Sequence, residues 1–106
     1  MLHNILIAVD GSRNSLRAVE YAGRVFAPNA EARLVLFHIL PAISRMNLNK
    51  EEIKAIDARK AERADLAGLY WRLEDEEKIG RFFAEATNLL VQVGVRPEQI
   101  NSKFGV

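Results

Sequence analysis

The 106-residue chain contains no cysteine. That excludes a disulfide scaffold, thiolate catalysis and thiolate zinc sites, and it favours a reducing compartment, so the expected location is the cytosol. Neither sign of charge dominates, with fifteen Lys and Arg against fourteen Asp and Glu, a net +1. No basic block stands apart from acidic neighbours, so the electrostatic footprint of non-specific nucleic-acid binding is missing. Long apolar runs are also missing. The longest, Ile5 to Val9 and Leu34 to Leu40, fall far short of the roughly 20 residues that a membrane helix needs. No basic region leads into a signal sequence at the N-terminus, so neither membrane insertion nor export is expected. The only histidines, His3 and His38, have a helical pattern between them, and no metal site is expected. Internal repeats and low-complexity tracts are absent. What is present, 49% apolar and 27% charged residues, suits a single domain over 1–106, which at this length buries roughly 65% of its unfolded surface.

The run Asn4 to Asp10 is continuously apolar and β-branched at Ile5, Ile7 and Val9 before it stops at Gly11-Ser12. That is the pattern of a strand buried on both faces. Leu16, Val19, Tyr21, Ala22, Val25 and Phe26 then recur mostly three and four apart among Arg13, Arg17, Glu20 and Arg24, which predicts an amphipathic helix. Ser12 or Asn14 is its cap, and Pro28-Asn29 ends it. A second buried-type run, Arg33 to Leu40, stops at Pro41. Strand, helix and strand of these lengths make a right-handed βαβ unit with parallel strands.

Residues 42–72 are rich in charge and show no single apolar stripe, and they read as a solvated helical insertion. Asn49 with Glu52 resembles a capping box, and the apolar content thickens from Ala61 to Leu73 around Tyr70-Trp71. That aromatic pair either packs on the domain or forms a partner-binding hot spot. From Glu74 the pattern sharpens into Ile79, Phe82, Phe83, Ala86, Leu89, Leu90 and Val93, with Glu74 to Glu77 at the positive helix end and Gly94 as the stop. A short strand is expected around Ile100 to Phe104.

The strand Asn4 to Asp10 with Gly11-Ser12, the helix holding Ser15 to Ala22, and the strand Leu34 to Leu40 with His38 and Pro41 together resemble the opening of a universal stress protein domain. The helix Ile79 to Val95 with its Gly-Val ending resembles that family's second helix. The resemblance implies an α/β fold: a truncated, open parallel sheet of the adenine nucleotide alpha hydrolase-like, Rossmann-like type, with three strands at most. Many family members bind ATP and others bind no nucleotide. Carried over residue by residue, Asp10 accepts a hydrogen bond from the adenine or ribose region, Ala8 and Val9 offer surface to the base, and Ile39 covers its other side. The alternative for Asp10-Gly11 is a tight strand-to-helix turn whose carboxylate accepts local backbone N–H groups. The family's glycine-rich phosphate loop follows its fourth strand, and residues 95–106 contain nothing equivalent. The chain is accordingly expected to lack strands four and five and half of the ligand crevice.

Ser12 or Ser15 with His38 and Asp10 supplies the letters of a catalytic triad, but no Gly-x-Ser-x-Gly elbow accompanies them and His38 reads as a core-edge histidine bonded to backbone. No catalytic residue is assigned. The expected function is a non-catalytic stress-response or regulatory module with no cofactor, which acts through self-association, as a homodimer or higher homo-oligomer, or through an unknown protein partner. The alternative is an ATP-binding switch whose phosphate site is completed by another chain.

Overall fold

The computed structural model describes residues 3–106. Its strands are β1 (His3–Ala8), β2 (Ala32–Ile39) and β3 (Ile100–Gly105), and its helices are α1 (Arg13–Phe26), α2 (Lys50–Arg59) and α3 (Leu73–Gln92). The sheet is parallel in the order β1-β2-β3, with Ile5 beside Leu34 and Leu34 beside Ile100. This is the expected open α/β sheet. Two right-handed crossovers advancing in one direction deliver both connecting helices to the same face. On that face Leu34 and Leu36 are fully buried against Val19 of α1 and Ile79, Phe82, Phe83, Ala86 and Leu90 of α3. The apolar runs had suggested burial on both faces, and here the structure differs. Leu6 is 66% and Ile39 61% exposed on the opposite face, because the described residues supply a layer for one side only.

The helix boundaries follow from local chemistry. The Ser12 hydroxyl accepts the Ser15 N–H and so caps α1. Gly23 lets α1 lie close to α3, since a Cβ there would stand 2.7 Å from a Leu90 methyl and 2.8 Å from one of Val93. The Asn49 capping box at α2 is complete, with Asn49 Oδ1 accepting from Glu52 N and Glu52 Oε1 from Asn49 N.

Residues 42–72 are not the solvated appendage that their charge suggested. Ile56, Leu66 and Trp71 are each at most 2% exposed and join the main core. Trp71 meets Phe104 of β3 edge to face, with ring centroids 5.7 Å apart, and its Nε1–H donates to Glu76 of α3 at 2.8 Å. Glu76 also receives Arg59 at 2.9 Å. The acidic start of α3 therefore does more than offset the helix dipole: it ties α2 and Trp71 to the core. Arg63 donates to the Phe104 carbonyl at 2.7 Å. The neighbouring Gly105 carbonyl turns inward to Leu40 N, so by strand alternation Arg63 occupies the outer edge of β3. No strand pairs with the outer edge of β1 among the described residues.

Candidate functional site

Parallel α/β sheets place their loops and helix starts at the carboxyl ends of the strands, and ligand crevices form there. Here that end holds a cleft of about 330 Å³ lined by Asp10, Gly11, His38, Leu40, Pro41, Asp75, Lys78 and Ile79. Gly11 takes φ +83°, a conformation that favours glycine, and so turns the chain from β1 toward α1.

Asp10 is shaped by its own loop. Its Oδ1 accepts Ser12 N at 2.9 Å and Ser15 Oγ–H at 2.5 Å, while the Ser15 hydroxyl accepts Asp10 N at 2.9 Å. Hydrogen bonds from Ser12 first, and then Ser15, hold the carboxyl at about 2. These bonds are those of the tight turn. His38 is half-buried, with Nδ1 2.6 Å from the Val9 carbonyl oxygen. Because a carbonyl only accepts, Nδ1 carries the proton, and in the neutral ring Nε2 is an acceptor. Ser15 thus bonds Asp10 and His38 bonds backbone, so the three do not form a serine–histidine–aspartate chain.

The sequence-derived adenine-side residues divide between the two faces. Val9 is buried and donates to Phe37 O at 2.8 Å. Ala8 stands beside Phe37 in the parallel register and, with the exposed Ile39, lies on the bare face of the sheet. Only Asp10 of the four lines the cleft. The sequence reading does not find Asp75, which it places only within the acidic helix start, or Lys78. The rule that a helix after a parallel strand begins near the strand ends is the signal that points to them. The first turn of α3 carries Glu74, Asp75 and Glu76; of these only Asp75 lines the cleft, and Lys78 lines it too, so the helix start brings one carboxylate and one cation to it. Among the described residues no group of three or more His, Asp or Glu could hold a metal ion, and no helix is long and apolar enough to cross a membrane.

A family model described as the universal stress protein family matches residues 1–98. Among curated proteins none matches. A solved universal stress protein in complex with cAMP superposes with a TM-score of 0.56 at 20% identity, covering 98% of this chain and 54% of that one. A universal stress protein family member from Burkholderia pseudomallei does so with a TM-score of 0.55 at 22% identity, covering 96% and 61%. At these identities the two likenesses are of fold, and the chain spans 54% to 61% of the length of those structures.

Proposed function

The chain belongs to the universal stress protein family, and from that premise we propose that it is a cytosolic stress-response or regulatory module that acts without catalysis or a resident cofactor, by associating with its own kind or with a protein partner. The observation that carries this reading is the outer edge of β1. Among the described residues no strand pairs with that edge, β1 carries no proline and no Asp, Glu, Lys or Arg, and it adjoins a sheet face on which Leu6 and Ile39 are open to solvent. Such an edge is a template for another chain. Fully burying side chains of this size is worth about 1.5–3 kcal/mol each, against a domain stability of about 5–15 kcal/mol. Light scattering over a wide dilution series tests the reading. The expected result is an assembly larger than the 11.9 kDa chain; a folded, cooperative, monodisperse monomer throughout would refute it.

A second reading, a nucleotide switch, draws on the cleft and on the Asp10 carboxylate that lines it, with Ala8, Val9, Asp10 and Ile39 on the adenine side. For the phosphates the start of α3 offers the cleft one cation, Lys78, beside the carboxylate of Asp75. Calorimetry with ATP separates the two: saturable low-micromolar binding lost in Asp10→Ala establishes the switch, and its absence leaves the association module.

A further inference from the structure

We propose that the cleft at the carboxyl end of the sheet binds a free α-amino acid with an apolar side chain, holding its ammonium group between Asp75 and His38 and its carboxylate on Lys78. This ligand class lies outside both readings above. Every lining residue falls between Asp10 and Ile79, so the site makes no use of the β1 edge. By strand alternation His38 and Leu40 share the helix face with Leu34 and Leu36, whereas Ala8 and Ile39, two of the adenine-side residues, lie on the other face.

Three polar groups of the cleft are unengaged within the protein. Asp75 and Lys78 stand three residues apart on α3, a spacing that sets Cβ atoms about 5–6 Å apart and commonly gives an ion pair. Here they do not pair, and among the described residues neither side chain has a hydrogen-bond or ion-pair partner. The third group is His38 Nε2. Nδ1 of the same ring donates to the Val9 carbonyl at 2.6 Å, so in the neutral ring Nε2 is an acceptor. No protein donor reaches it, and no buried side-chain nitrogen or oxygen of the described residues lacks a partner. Nε2 is therefore open to solvent at the cleft that His38 lines.

Two acceptors beside a lone cation are the complement of a zwitterion. A ligand ammonium group has three donors, and the Asp75 carboxylate and His38 Nε2 receive two of them from different elements. The ligand carboxylate then meets Lys78 in a charge-assisted bond. A bare cation would leave Lys78 unpaired beside it. An anion would leave Asp75 unpaired and would face Asp10 as well, so that the cleft opposes it with two negative charges against one positive. Leu40, Pro41 and Ile79 supply an apolar wall, and small-molecule sites join such surface to a few convergent polar groups. The cleft volume of about 330 Å³ lies at the low end of the range for such sites, about 300–1,000 Å³, which favours a ligand of single amino-acid size.

L-Leucine is the probe, titrated into the full chain at mildly alkaline pH so that the imidazole is neutral, with binding followed by the imidazole nitrogen shifts of His38 in NMR. Leucine amide, which lacks the carboxylate, and N-acetylleucine, which lacks the ammonium group, are the controls. The expected result is a saturable shift of His38 Nε2 with leucine. Lys78→Ala and Asp75→Asn should each weaken it about tenfold or more, as loss of a hydrogen bond to a charged group does. Lys78→Arg keeps the cation and should retain binding. Neither side chain has a protein partner to lose, so circular dichroism should find all three variants folded. If leucine leaves His38 unshifted up to its solubility limit, if either control binds as well as leucine, or if affinity ignores both substitutions, the zwitterion site is wrong. ATP that displaces leucine and binds more tightly assigns the cleft to a nucleotide and overturns it too, whereas ATP bound without displacing leucine supports two separate sites. Light scattering continues to report the association reading, whose failure would leave the amino-acid site standing.

Discussion

The two edges of the sheet have opposite character, although each strand is six residues long. At β3 the outward Phe104 carbonyl is taken by Arg63, its ring is covered by Trp71 and the Arg63 guanidinium, and Lys103 places a charge on the strand. At β1, Asn4, Leu6 and Ala8 turn their backbone groups outward, and no other strand meets them among the described residues. Proteins usually blunt an edge with charge, proline or a covering segment. Residues 42–72 do this for β3 and nothing described does it for β1. The contrast gives the charged segment a role: it closes the β3 edge.

The comparison can be broken first at its protected side. Trp71 is fully buried, so Trp71→Ala should cost about 3–5 kcal/mol in denaturant unfolding. A loss below about 1 kcal/mol would mean that the segment does not secure the β3 edge. Glu76→Ala strands the buried Trp71 Nε1–H and releases Arg59. An unsatisfied buried donor costs about 1–3 kcal/mol, and Glu76→Gln, which keeps an acceptor, should recover most of that in the same titration. On the open side the effect on the fold is smaller and the effect on assembly larger. Leu6→Lys sits at an exposed position, so the folded monomer should change by no more than about 0.5 kcal/mol, while light scattering should show the assembly lost. Unfolding of this variant at all concentrations would show instead that β1 needs its neighbour to fold.

The smallest expected effect concerns the turn that ends β1. The Asp10 carboxyl is lowered from 3.8 to about 2 by its hydrogen bonds to Ser12 and Ser15, so the carboxylate stabilises the folded state above pH 3.8 and loses that contribution as pH falls through about 2. The stability gap between the wild-type chain and Asp10→Asn should close over that window in thermal melts. A gap independent of pH would mean that the side chain acts by shape rather than by charge.

Elements with one dominant period were legible in the sequence. The β-branched run at Ile5 to Val9, the stripe from Leu16 to Phe26 and the stripe from Ile79 to Val93 each became the expected strand or helix within a residue or two. Packing of the Tyr70-Trp71 stretch on the domain was one of the two readings open in the sequence, but the burial of the charged part before it was not legible, because Ile56, Leu66 and Trp71 come from a helix, a 3₁₀ turn and a loop, each contributing one anchor. Periodicity has nothing to detect when each element supplies a single contact. The bare face was hidden for a different reason: a continuous apolar strand states what it can bury, not whether a layer is present to bury it. At the cleft, Asp10 and the backbone bond of His38 were readable from their place beside a strand end. Asp75 and Lys78 were not, since on a charged helix start their direction depends on how α3 meets the sheet.

The most direct measurement is amide hydrogen exchange of Leu6 and Ala8 in the unmodified chain at high and low concentration. Their N–H groups point to the outer edge of β1, whereas those of Ile5 and Ile7 point to β2. If two copies meet at this edge, Leu6 and Ala8 are protected at high concentration and lose that protection on dilution, while Ile5 and Ile7 exchange slowly at both. Fast exchange of Leu6 and Ala8 at every concentration, beside slow exchange of Ile5 and Ile7, would contradict it.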